Sequence, residues 1–102
     1  MTPTELELCA RFLGEGCKSC GNEYIGQVED GEWVHVLNPS ELFMALLERA
    51  AELGLGPNLL RSGDAWCAMI DCTECHISAG DGPTPLSALT AAVVRYMEEK
   101  SV

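Results

Sequence analysis

Apolar residues recur at spacings of three and four in three separate segments of the chain, the pattern of helices with one buried face. Each segment opens with a side chain that can cap a helix, followed at once by a proline, which is favoured at the first helical position. Glycine follows the first two segments, where it can end a helix. The sequence therefore predicts three helices, at residues 3–13, 39–53 and 85–100. Their buried side chains should include Leu46, Leu47, Leu89 and Val93.

Short runs rich in β-branched and aromatic residues lie between these helices. Residues 23–28 and 33–36 flank Asp30-Gly31, a pair that is typical of a two-residue hairpin turn. Residues 66–70 and 76–78 form a second candidate hairpin. The segment 55–64 is rich in glycine, proline and serine, and we predict a loop there.

This order of elements predicts an α+β fold in a single domain, residues 1–102. An α-ββ-α-ββ-α sandwich should pack one antiparallel sheet, built from the two hairpins, with three helices, because each helix has one apolar stripe to bury. A chain of 102 residues can form one domain with a modest core but not two. No internal repeat or linker divides it.

The charge balance restricts the partners that the protein can bind. Sixteen acidic residues against six basic ones give a formal net charge of −10. Such a surface repels nucleic acid and anionic membranes and favours basic partners, although many acidic proteins gain only solubility from their charge. No apolar run reaches the roughly 18 residues of a membrane span, and the N-terminal segment lacks the basic and apolar regions of a secretory signal. We therefore expect a cytoplasmic protein.

Two CxxC pairs are the strongest candidate chemistry in the sequence. Cys17 and Cys20 have the form of a zinc knuckle, and Cys72 and Cys75 repeat the spacing at a predicted hairpin tip. In a reducing compartment, paired cysteines bind metals more often than they form disulfides. The sequence predicts one zinc ion that joins the two hairpins through all four thiolates, although the 51 intervening residues exceed the spacing of a compact zinc ribbon.

Other interpretations of the cysteines stay open at this stage. The pairs could be reduced thiols, disulfides or redox dithiols, but a redox pair normally lies at a helix N-terminus, where neither is predicted. Residues 72–76 also spell the CxxCH motif of c-type haem, whose attachment requires export. His76 could replace Cys75 as a zinc ligand. Cys9 and Cys67 are expected to be small buried apolar residues.

Four segments resemble parts of a known family. They are TPTELELCARFLG, NPSELFMALLERAAELG, AWCAMID and ISAGDGPTPLSALTAAVVRYMEE. They are similar to the small phage-encoded proteins of the phage ABA-sandwich family, in which a small-residue turn and an Asp-Thr-Pro-type start precede an alanine-rich helix. The resemblance implies a helix–sheet–helix sandwich and a phage or prophage origin, and it carries over no functional residues. The CKSCGNEY and CTECH segments depart from the family pattern.

We find no motif for catalysis, since the sequence lacks a glycine-rich phosphate loop, GxSxG, HExxH and the zinc-deaminase signature. His35 alternates with valines in a predicted strand and is expected to be exposed rather than catalytic. We therefore expect a non-enzymatic phage accessory protein. It should bind and inhibit a host factor, such as a CRISPR-type defence complex, by acidic mimicry of nucleic acid.

The expected contact surface combines acidic hairpin tips with one aromatic residue. Its members are Glu29, Asp30, Glu32, Asp71, Glu74 and Trp33. The partner should be a basic host protein or a nucleic-acid-binding complex, without direct binding of nucleic acid. The alternative is a zinc-stabilised structural or regulatory phage module with no inhibitory role. The sequence leaves the oligomeric state open, and a homodimer is compatible with it.

Overall fold

A computed structural model describes residues 2–20, 24–71 and 77–100 of the chain, with the backbone alone at residues 71 and 77. These residues form an α+β fold, as predicted. In chain order the elements are α1 (Pro3–Leu13), β1 (Cys17–Cys20), β2 (Tyr24–Glu29), β3 (Glu32–Val36), α2 (Pro39–Glu52), β4 (Gly56–Ser62), β5 (Ala65–Asp71), β6 (Ile77–Gly82) and α3 (Pro85–Lys100).

The strands form two antiparallel sheets, so the prediction of one sheet from two hairpins is wrong. Sheet A has the order β1-β2-β3, and sheet B has the order β4-β5-β6. Each predicted hairpin gains a third strand from a segment that the sequence analysis did not assign to a strand. Residues 17–20 pair with β2 instead of forming a knuckle, and residues 56–62 pair with β5 instead of forming a loop.

The three helix starts lie where the capping patterns predict them. At α1, the amide of Glu5 donates to Thr2 Oγ1 (3.2 Å), and the amide of Thr2 donates back to Glu5 Oε1 (2.8 Å). Asn38 and Glu41 form the same reciprocal pair at α2. At α3, Ser87 takes the place of the glutamate, because its hydroxyl accepts from the amide of Thr84 at 3.0 Å. Each start therefore satisfies amides that have no partner inside the helix.

The core lies among the helices and the inner face of sheet B, and it includes Ile25 of β2 in sheet A. Leu46, Leu89 and Val93 are fully buried, as predicted. Leu47 is only half-buried, because the buried line of α2 runs through Leu42, Leu46 and Ala50 and Leu47 lies beside it. Helix α1 contacts sheet A, whereas α3 contacts β5 and β6. Among the described residues, no helix is both long and apolar enough to cross a membrane.

Sheet B approaches α3 very closely through small residues. A Cβ atom placed on Gly80 of β6 would lie 2.6 Å from the carbonyl oxygen of Ala88 and 2.6 Å from Cβ of Ala91. Ala88 and Ala92 are completely buried at this contact. The segment Ile77–Gly82 is therefore rich in small residues because helix and strand backbones nearly touch there.

Candidate binding surface

The hairpin formed by β2 and β3 turns at Asp30 and Gly31, as the sequence predicts. Both residues have positive φ, 53° and 83°, as the two-residue turns that suit twisted hairpins require. The turn places Glu29, Asp30 and Glu32 in solvent at the end of the hairpin. These three predicted contact residues therefore lie together, as an acidic tip.

Strand β3 is exposed along its whole length. It lies at the edge of sheet A, and its main contacts among the described residues are with β2. Trp33, Val34 and Val36 have exposed fractions of 48%, 57% and 46%. A folded monomer normally buries such side chains when they are adjacent, and an apolar group beside charged residues is typical of a protein-binding surface.

Trp33 lies across a glycine on the neighbouring strand. The six-membered ring of its indole occupies the space where a side chain of Gly26 would be, since a Cβ there would lie 2.6 Å from Cζ3. Tyr24 meets the indole edge-to-face, with ring centroids 6.0 Å apart. The indole is therefore held between Gly26 and Tyr24.

A β-bulge sets the faces of β3. Gln27 pairs with His35, whereas Val28 pairs with Trp33, so β3 has one extra residue at Val34. Because Val36 pairs with Gly26, Val36 and Trp33 share one face of sheet A. We call Tyr24, Trp33 and Val36 the apolar face of the hairpin.

The opposite face of β3 is tied to helix α2. Nε2 of His35 lies 2.6 Å from Oε2 of Glu41, whose other carboxylate oxygen accepts from the backbone amide of Asn38. The Asn38 amide, followed by His35, lowers the pKa of Glu41. His35 is exposed, as predicted, and this contact links the hairpin to the start of α2.

The hairpin belongs to a long stretch of one charge sign. Residues 19–48 contain six acidic residues and no lysine or arginine. Opposite charges across an interface speed association and select partners. The charge of this region therefore suits a basic surface and opposes another acidic one.

The first CxxC pair lies on strand β1 and does not form a knuckle. Side chains alternate along a strand, so Cys17 and Cys20, three residues apart, lie on opposite faces of sheet A. Burial raises the pKa of Cys17, the direction opposite to that of a redox dithiol or a ready metal ligand. For both to bind one ion, β1 would have to leave its register with β2.

The second CxxC pair lies outside the described residues, as do Glu74 and His76. Asp71 is described by its backbone alone, at the end of β5 in sheet B. The predicted union of the two acidic tips in one surface therefore stays a prediction. Among the residues that the structure describes, no group of three or more His, Cys, Asp or Glu residues could hold a metal. The four-cysteine zinc site also stays a prediction.

The two remaining cysteines differ from each other. Cys9 is completely buried, as predicted, and burial raises its pKa to about 12. Cys67 is only partly buried, so the prediction for it is wrong. It pairs with Asp81 across β5 and β6, and its hydrogen bond to that carboxylate raises the pKa of the Cys67 thiol.

An apolar groove was missed by the sequence analysis. It has a volume of about 650 Å³ and lies between α2, sheet B and the start of α3. Its apolar lining includes Phe43, Met44, Leu59, Trp66 and Leu86. The only sequence signal was Met44, an apolar residue outside the buried line of α2, and it is 52% exposed.

Comparisons with known proteins were negative. No family model, no curated protein and no solved structure matches the chain. The resemblance to the phage ABA-sandwich family therefore stays a prediction.

Proposed function

We propose that this protein is a non-enzymatic binding protein whose β2–β3 hairpin engages a basic protein surface. The observation that carries the proposal is the exposure of every residue of β3, with three apolar side chains next to an acidic tip. Protein interfaces combine an aromatic or aliphatic centre with a polar rim. The hairpin offers both within thirteen residues, from Tyr24 to Val36.

The partner class follows from the charge of the region. A basic surface that normally binds nucleic acid carries lysine and arginine side chains spaced for phosphates. Carboxylates grouped at the end of a hairpin can occupy such a surface in place of phosphates. Because the sequence resembles a phage family, we propose that the partner is a host nucleic-acid-binding complex, of the CRISPR type among others, and that binding inhibits it.

The test is a pull-down from bacterial lysate at two salt concentrations, combined with variants of the tip. Glu29→Lys, Asp30→Lys and Glu32→Lys together should slow association and abolish salt-sensitive capture of a nucleic-acid-binding complex. Single changes should have little effect, because an exposed carboxylate contributes little alone. Folding should be nearly unchanged, since all three positions are exposed and lysine at Asp30, where φ is 53°, adds only a small backbone cost.

A matched control keeps the same net charge. Glu7→Lys, Glu48→Lys and Glu98→Lys together change three exposed carboxylates away from the hairpin. This control should retain capture, and duplex DNA should compete with the wild-type protein for the captured complex. If both triple variants behave alike, net charge alone explains the binding and the proposal is wrong. If Trp33→Ala abolishes capture while the tip variant only weakens it, the contact is apolar and mimicry is wrong.

Zinc binding through Cys17, Cys20, Cys72 and Cys75 is a separate proposal, and it rests on their spacing in the sequence. Protein purified without added metal should then contain about one zinc per chain, and Cys17→Ser and Cys72→Ser should destabilise it by similar amounts. Because Cys17 and Cys20 face opposite sides of β1, bound zinc should also abolish the β1–β2 pairing. Metal-free protein with all four thiols freely titratable would rule the site out.

A further inference from the structure

We propose that Trp33 is the docking point for an arginine side chain of the partner, with the guanidinium stacked on the indole and attracted by the carboxylates of the neighbouring tip. This inference rests on the proposed function and names the residue type that the hairpin recognises. Arginine suits such a site because its planar, weakly hydrated guanidinium stacks on an aromatic ring, whereas the compact and strongly hydrated ammonium of lysine does not.

The first argument is the fixed position of the indole. Gly26 lies beneath the ring, and Tyr24 meets it edge-to-face. A side chain held in this way loses little freedom on binding, which is a property of residues that dominate interfaces. About half of Trp33 is nevertheless open to solvent.

The second argument comes from the other aromatic rings of the chain. Arg61 lies over Trp66, 6.0 Å from the ring centroid, and Lys100 lies 5.8 Å from that of Tyr96. Both rings thus have a cation from the chain itself. Among the described residues, no cation lies over Trp33, although it is the most exposed of the large aromatic side chains. Its ring is therefore available to a cation from outside.

The third argument is the local charge. Glu29 and Glu32 pair across the hairpin one residue beyond the Val28–Trp33 pair, so their carboxylates leave the opposite face of sheet A, between Trp33 and the turn at Asp30. Among the described residues of sheet A, the one lysine or arginine is Lys18 of β1, which pairs with Gly26 of β2 and therefore lies on the same face as Trp33, on the side of β2 away from β3. A guanidinium on the indole would lie one residue from the acidic tip, where the attraction of the tip carboxylates for a cation adds to the attraction between cation and ring.

The experiment uses two labelled peptides of equal charge, nona-arginine and nona-lysine. Their dissociation constants are measured by fluorescence anisotropy with the full-length protein. We expect the wild type to bind nona-arginine about fivefold more tightly than nona-lysine, the size of a cation–π contact near an exposed ring. With Trp33→Leu, the two peptides should bind with nearly equal affinity, because they carry the same charge and no aromatic ring is left to distinguish them. Trp33→Phe keeps an aromatic ring and should give an intermediate ratio of dissociation constants.

The variants separate this inference from the proposed function. If Trp33→Leu leaves the ratio of the two dissociation constants unchanged while the tip variant lowers the affinity for both peptides, the inference is wrong and the proposed function stands. If the tip variant and the triple control variant at Glu7, Glu48 and Glu98 lose the same amount of affinity for the two peptides, the proposed function is wrong. Quenching of Trp33 emission by nona-arginine, measured in a Trp66→Phe background, provides a second readout that does not depend on the stability of the leucine variant.

Discussion

Sheets A and B have the same antiparallel three-stranded order, yet they differ in what covers them. Sheet B lies against α3, where Gly80 contacts the helix backbone and Ala68 and Ile70 are completely buried. Sheet A is covered by α1 at β1, and its outer strand β3 is exposed throughout. The core therefore takes Ala68 and Ile70 from sheet B and Ile25 from β2 of sheet A, while strand β3 is left open to solvent.

The largest effect is expected where a core leucine is removed. Leu89→Ala should lower the free energy of unfolding by about 3 kcal/mol, because Leu89 is completely buried and its loss leaves a cavity. Leu60, on the outer side of sheet B, is 55% exposed and provides the matched control. Urea denaturation should show a change of less than about 0.5 kcal/mol for Leu60→Ala. Equal effects would contradict the placement of the core.

A second effect tests the close contact of sheet B with α3. Gly80→Ala should destabilise the fold by about 2 kcal/mol, since the added methyl group meets helix backbone that cannot move aside. Gly16→Ala is the control, because its Cβ would have nothing within 4 Å. Thermal unfolding of both variants measures the difference. A Gly80→Ala protein as stable as the control would show that α3 does not lie against β6 as described.

The corresponding change in sheet A should have a smaller effect. Gly26→Ala places a methyl group against the ring of Trp33, a half-exposed side chain that the methyl group can displace at lower cost than the helix backbone beside Gly80. We expect a loss of about 1 kcal/mol in stability and a more solvent-exposed Trp33 emission, read in a Trp66→Phe background. If Gly26→Ala destabilises the protein more than Gly80→Ala does, Trp33 is held as firmly as the core and the comparison between the two sheets fails.

The smallest effect concerns the link between β3 and α2. The pKa of Glu41 lies below its ordinary value of 4.5 in the fold, because the Asn38 amide and His35 favour the ionised carboxylate. The ionised Glu41 carboxylate therefore contributes to the stability of the fold above pH 4.5, the pKa of the unfolded chain. This contribution is lost as the pH falls through the lower pKa that Glu41 has in the fold. Glu41→Gln should flatten this part of the dependence of Tm on pH between pH 6 and pH 3. An unchanged profile would mean that the contact contributes nothing.

Local signals predicted the helices and the first hairpin turn well. Thr2, Asn38 and Thr84 each precede a proline and satisfy the first amides of a helix, which is chemistry confined to four neighbouring residues. Asp30-Gly31 likewise specifies its turn through the backbone freedom of the two residues alone. Such features need no information from the rest of the chain.

The missed strands depend on distant partners. Residues 56–62 begin with glycine and proline, yet they form a strand because β4 is an edge strand, where a proline is tolerated. Residues 17–20 are a strand because β2 pairs with them. The spacing of Cys17 and Cys20 indicated a zinc knuckle instead, so no strand was predicted there. The candidate surface was predicted in part. Glu29, Asp30, Glu32 and Trp33 lie together, but the glycine beneath Trp33 is recognisable only once β2 and β3 are aligned.

The open edge of β3 also has a consequence for how the protein behaves at high concentration. An exposed strand with Val34 and Val36 is a template on which another molecule could add its own strand. The carboxylates of the tip and the net charge of −10 keep neighbouring copies apart, so they act as gatekeepers against aggregation. The same charges that we propose to attract a basic partner thus also protect the free protein, and salt that screens them should weaken both effects together.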